Sequence, residues 1–107
     1  MITVSSPEIP GKKITKALGL VEGNTIRARN VGRDILAGLK SIIGGEIEEY
    51  TKLMGESREQ ALDRMCEMAE KMGANAVVNV RFSTSYIMGN AAEILAYGTA
   101  VITENGK

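Results

Sequence analysis

Residues 46–72, EIEEYTKLMGESREQALDRMCEMAEKM, decide the fold, because no other stretch of the 107-residue chain keeps one helical phase for so long. At about 100° per residue, Ile47, Tyr50, Met54, Ala61, Met65, Met68 and Met72 share one face, with Leu62 and Ala69 on its shoulder. Glu49, Glu56, Glu67 and Glu70 lie opposite. Gly55 could interrupt the helix, and Ser57 with Gln60 would cap a restart. The apolar phase carries straight across Gly55, so the expectation is one long amphipathic helix that ends at Gly73, where a left-handed residue is easily accommodated.

Upstream, Asn30 is a candidate N-cap, and Val31, Ile35, Leu39 and Ile42 repeat at helical spacing until Gly44-Gly45. This predicts a short first helix, which must be held by packing because Gly32 and Gly38 each cost about 1 kcal/mol against alanine. Nearer the N-terminus, Ile2 and Val4 read as a short strand that breaks at Ser5-Ser6-Pro7 and Ile9-Pro10-Gly11. Residues 13–26 look extended, with Ile14, Leu18 and Leu20 on one face, and Glu22-Gly23-Asn24 supplies turn or bulge chemistry.

Downstream, residues 76–88 and 91–103 are extended runs joined at Gly89-Asn90, a two-residue hairpin signal. With Met88 opposite Ala91, the core side pairs Val78 with Val101, Val80 with Thr99, Phe82 with Tyr97, Thr84 with Leu95 and Tyr86 with Glu93. The other face carries Asn79, Arg81, Ser83 and Ser85 opposite Ala100, Gly98, Ala96 and Ile94. Residues 104–107 read as a frayed tail. The expected fold is therefore a single α+β domain over residues 1–107: short N-terminal strands, a short helix, one long amphipathic helix and a C-terminal antiparallel β-hairpin, with the helix packed on an antiparallel sheet.

Composition narrows the chemistry. A single cysteine, Cys66, excludes an intramolecular disulfide and favours a reducing cytoplasm. The N-terminus shows no secretory pattern, and the longest uncharged run, residues 82–92, is far short of the roughly 20 apolar residues of a membrane span. Histidine is absent, which removes the usual imidazole base, the Ser–His and Cys–His nucleophile pairs and the commonest zinc ligand. The sequence leans away from an enzyme. Residues 1–45 carry a net +4 and residues 46–73 a net −4, an arrangement suited to self-association or to a solvated face. The basic residues Lys12, Lys13, Lys16, Arg27, Arg29 and Arg33 lack interleaved aromatics for base stacking, which argues against nucleic acid.

Several residues carry sharper hypotheses. Methionines beside a cysteine invite a soft-metal reading, but Cys66 is turned about 100° from Met65, and thioethers fill irregular cores well. Core packing is the preferred reading of the stripe. Arg58 is the misfit, a charge within about 40° of the stripe's centre that requires a partner. It should pair with a carboxylate such as Glu93, reach a neighbouring subunit or line an anion pocket. Glu93 and Tyr86 lie opposite each other in the expected register, and with Arg58 they form the one conceivable catalytic group. Gly44-Gly45-Glu46 precedes a helix N-terminus and could cradle an anion, though it lacks the spacing and lysine of a P-loop.

Gly44-Gly45-Glu46, Tyr50, Arg58-Glu59, Ala61, Met65, Gly73-Ala74-Asn75-Ala76-Val77-Val78 and Gly98-Thr99-Ala100-Val101 together resemble the YbjQ-type family of small bacterial and archaeal proteins over nearly the whole chain. The resemblance implies an α+β subunit in a ring-shaped homopentamer, a label of heavy-metal binding, and no catalytic residues. Many members are acidic along the first hairpin strand, whereas this chain has Arg81, Ser83 and Ser85 there and no carboxylate from Ala76 to Met88. The expected function is a cytoplasmic homo-oligomeric binding or scaffold protein, with heavy-metal binding as the alternative. The candidate interface or pocket residues are Arg58, Glu93, Tyr86, Arg81, Ser83, Ser85, Gly44, Gly45 and Glu46. A small ligand or a metal ion is the open possibility for a cofactor.

Overall fold

The computed structural model describes residues 1–28, 45–88 and 91–106. The expected short helix from Asn30, Gly44 and the Gly89-Asn90 turn lie outside the described residues.

β-Branched and aromatic residues make the run after Gly73 extended. Strand β3 (Ala76–Met88) pairs antiparallel with β4 (Ala91–Asn105). Strand β2 (Lys12–Ala28) pairs antiparallel with the other side of β4 from Lys12↔Asn105 to Ala28↔Ala91. The two-residue β1 (Ile2–Thr3) adds to β3 in parallel, Ile2↔Ala76 and Thr3↔Val77, giving the order β1-β3-β4-β2. Three expectations are corrected here. The sheet is mixed, because the N-terminal residues enter beside β3 and run the same way. The second strand is 17 residues long, because Glu22, Gly23 and Asn24 stay in the ladder opposite Tyr97, Ala96 and Leu95. Asn105 and Gly106 are tied down rather than frayed: Lys12 Nζ donates to Asn105 Oδ1 at 2.8 Å and Gly106 N to the Gly11 carbonyl at 3.1 Å.

Helix α1 (Gly45–Lys71) lies on one face of the sheet and contacts mainly β2, then β4. Its seam is an i, i+4 row: Ser57, Ala61, Met65 and Ala69 are all fully buried. Gly23 explains the close approach, since a methyl group there would overlap the backbone of Ala61, Arg64 and Met65. Around that contact Val21, Val77, Val80, Ile94, Ala96 and Ala100 complete the core. The methionine stripe divides. Met65 is buried completely, whereas Met68 and Met72 stay 41% and 38% exposed. The small shoulder residue Ala69, one turn after Met65, continues the seam in their place.

The faces of β4 are also the reverse of the expected ones. Met88 does oppose Ala91, but shifts between Tyr86 and Met88 and between Val78 and Arg81 change the register along β3. At the second shift Asn79 adopts a left-handed φ of 55°, the mark of an extra residue in the strand. Tyr86 therefore aligns with Ala92, Ser85 with Glu93, Phe82 with Ala96 and Val78 with Thr99. Ile94, Ala96 and Ala100 face the helix, while Leu95, Tyr97 and Thr99 occupy the opposite face. At the N-terminal end of β3 that opposite face is covered by a second small core of Ile9, Ala76, Val78 and Val101. The chain leading to it is held by Val4 N→Val77 O, Val80 N→Val4 O and Asn79 N→Ser6 O, each 3.0 Å. Asn75 then ties the start of β3 to the C-terminal part of β4, its Nδ2 donating to Thr103 O at 2.9 Å and its Oδ1 accepting from Thr103 N at 2.8 Å.

Candidate functional site

Beyond the second core, the face of the sheet turned away from α1 carries no covering element among the described residues. Directly opposed residues of antiparallel strands share a face, so the register lays out three cross-strand rows. Arg81, Tyr97 and Glu22 form one; Ser83, Leu95 and Asn24 the next; Ser85, Glu93 and Ile26 the third. Leu20, opposite Thr99, completes the β2 side. Leu20 and Ile26 are 65% and 58% exposed, and Leu95 and Tyr97 are half-buried between them and β3.

Four of the residues singled out in the sequence thus meet on this face: Arg81, Ser83, Ser85 and Glu93. Glu93 is half-buried, and its Oε2 accepts from Asn24 Nδ2 at 3.1 Å. Asn24 is doubly engaged, because its backbone carbonyl accepts from Arg64 Nη1 at 2.5 Å, which brings the helix side chain around the free edge of β2. Arg81 leaves the face: its Nη1 donates to Ser5 O at 2.7 Å and to Val80 O at 3.0 Å. Leu20, Ile26, Asn24 and Arg64 escaped sequence reasoning. Their signal was a β2 ladder continuous through Gly23, which the turn reading concealed.

Other candidates are separated. Arg58 sits exposed on α1, and Glu93 lies on the far side of the sheet from that helix, so the expected pair within one subunit does not form. Tyr86 aligns with Ala92 rather than Glu93, and the group of Glu93, Tyr86 and Arg58 is not assembled. Helix α1 opens at Gly45, one residue before the expected start at Glu46.

The donors among the described residues do not make a heavy-metal centre. The chain has no histidine, and no group of three or more Cys, Asp or Glu side chains comes together among the described residues. Cys66 is half-buried, and burial raises its thiol above the ordinary 9.0, with Asp63 and Glu70 adding to the rise and the N-terminal ammonium opposing it. That disfavours the thiolate a soft ion requires. Among the described residues no helix is long and apolar enough to cross a membrane.

A family model described as "Putative heavy-metal-binding" matches residues 1–104. A UPF0145 protein of Dehalococcoides mccartyi is 59% identical over 104 residues, covering 97% of this chain and 100% of the relative. One from Methanosarcina acetivorans is 59% identical over 101 residues, covering 94% and 95%. One from Pyrococcus horikoshii is 54% identical over 104 residues, covering 97% and 89%. A crystal structure of a protein of unknown function of the DUF74 family from Pediococcus pentosaceus has a TM-score of 0.65 over 97% of this chain and 98% of that one. At 12% identity, that likeness is one of fold.

Proposed function

Since the chain belongs to the family that this YbjQ_1 model describes, we propose that it works as a homo-oligomeric binding or scaffold protein assembled through the open face of its sheet. The observation that carries this reading is the exposure of Leu20 and Ile26 on a strand otherwise locked into the sheet, beside half-buried Leu95 and Tyr97. A contiguous apolar strip with a polar border is what an interface offers. Glu93 with Asn24, Ser83 and Ser85 provide that border. Arg58, exposed on α1, would meet a neighbouring subunit, as would Gly45 and Glu46 at the start of the helix, Gly44 before them in sequence, and the distal β3 residue Tyr86. A ring of five is the assembly the family resemblance implies. A reducing cytoplasm suits the lone free thiol.

Light scattering on the purified chain tests the assembly. The expected mass is a multiple of the protomer's, and Leu20→Glu with Ile26→Lys should shift it toward one protomer with the circular-dichroism spectrum unchanged. A strict monomer in the wild type refutes the reading.

Heavy-metal binding is the second reading, supported by the family's description and by Met68 on α1 and Met72 just past its end, both exposed and four residues apart. Thioethers suit Cu(I). Because the donors among the described residues of one subunit do not suffice, this reading needs donors from more than one subunit. Calorimetric titration of Cu(I) into wild type and Cys66→Ala would show heat that depends on the thiol. Equal or absent heat removes Cys66 from the reading.

A further inference from the structure

We propose that the groove between α1, β3 and the N-terminal segment binds a small carboxylic acid with an apolar body, its carboxylate held by Arg81. This goes beyond the assembly reading and does not depend on it.

The groove is open to solvent and offers about 390 Å³, a volume within the range of small-molecule sites, and Val4, Leu62, Val80 and Phe82 supply its apolar lining beside Ser5 and Arg81. Phe82 is the chain's single phenylalanine, and it stands 48% exposed. It belongs to the helix-facing rows of the sheet, opposite Ala96, but lies past the edge of α1, which packs mainly on β2 and β4. An apolar body laid between Phe82 and Leu62 would remove that surface from water.

Arg81 supplies the selectivity. A guanidinium carries five N–H donors in a planar fork. Both Nη1 hydrogens are used, on Ser5 O and Val80 O, so the group is held in place by backbone carbonyls on two sides of the groove. What remains is the edge formed by Nε and Nη2, which has no partner among the described residues. That edge presents two parallel donors, the spacing that matches the two oxygens of a carboxylate. Fixing the fork beforehand removes part of the ordering cost of binding. No aspartate or glutamate lines the groove to compete for it. Positive charge selects an anion, the side-on fork selects a planar two-oxygen acceptor, and the apolar walls and limited volume select a short branched or aromatic body.

Phenylacetate and 4-methylpentanoate, with their neutral amides as controls, are the probes. Titration of the intact chain, followed by calorimetry and by backbone amide shifts in NMR, should show the acids binding at least about tenfold tighter than the amides. The shifts should centre on Leu62 and residues 80–82. Arg81→Gln should abolish the preference for acid over amide, Arg81→Lys should restore part of it, and Phe82→Ala should weaken acid and amide alike. Equal affinity for acid and amide, shifts centred elsewhere, or no binding of either acid overturns the proposal. Should Arg81→Gln fail to fold, the acid–amide comparison in wild type and in Phe82→Ala still decides.

Discussion

Replacing Gly23 by alanine would place a methyl group inside the seam between β2 and α1. A Cβ at that position stands 2.8 Å from the Arg64 carbonyl carbon, with the Ala61 carbonyl oxygen and the Met65 amide nitrogen nearer still. These are backbone atoms of a continuous helix, so no rotamer change relieves the overlap. The helix must lift by about 1 Å, a gap that forfeits a quarter to a half of the dispersion across it. The fully buried Val21, Met65, Ala61 and Ala69 meet at that seam. Burial of each large side chain is worth roughly 1.5–3 kcal/mol, which sets the loss at about 3 kcal/mol. For a domain of this size the melting temperature should fall by at least about 10 °C. Urea denaturation followed by far-UV circular dichroism, at matched protomer concentration, measures it. Gly55→Ala is the internal control. Its nearest neighbour would be Arg58 Nη2 at 3.9 Å, and alanine is about 1 kcal/mol better in a helix interior, so this variant should gain stability. A Gly23→Ala protein within about 0.5 kcal/mol of wild type would refute the account of the seam.

Other outcomes follow from the same packing. Met65→Ala should cost about 3 kcal/mol in the urea experiment, while Met68→Ala should stay within about 0.5 kcal/mol, separating the buried methionine from its exposed neighbour. Asn75→Ala removes the acceptor of Thr103 N and the donor to Thr103 O, and should destabilise by about 2–3 kcal/mol, whereas Asn105→Ala, which loses only an exposed contact with Lys12, should cost under about 1 kcal/mol. Cys66 gives a pH signature. Its thiol is raised above 9.0 in the folded state, so the unfolded chain loses the proton first as pH rises. Stability should be unaffected by this group below 9.0 and decline above it, and Cys66→Ser should lessen that decline.

Much of the architecture was legible in local pattern. The helix beginning at Gly45 or Glu46 and stopping before Gly73 follows from apolar spacing and a C-terminal glycine, which are properties of neighbouring residues. The extended runs on either side of Gly89-Asn90, and the terminal match of Met88 with Ala91, follow from β-branched composition and turn chemistry in the same way. Family membership was also legible, since the ordered motifs from Gly44 to Val101 carried it.

The candidate site was legible only in part. Ser83, Ser85 and Arg81 were placed on the polar face by alternation, but Glu93 was assigned to the core. The register shift between Tyr86 and Met88 sets Glu93 opposite Ser85 rather than Tyr86, and a strand has no local memory of which face it serves. Leu20 and Ile26 became visible as surface only once Val21, Gly23 and Thr25 were seen to face the helix. Arg58 and Glu93 looked like partners because both fell on apolar stripes, yet the sheet stands between them.

The sequence by itself determined the long helix and the extended runs on either side of Gly89-Asn90, because helix periodicity, caps and turn residues act over a few positions. The tertiary structure decided which side of each strand is core, which methionine is buried and which residues share the open face. Those choices depend on how closely α1 can approach Gly23, a contact between segments about 40 residues apart, and on the two register shifts of β3 against β4, neither of which a local pattern encodes.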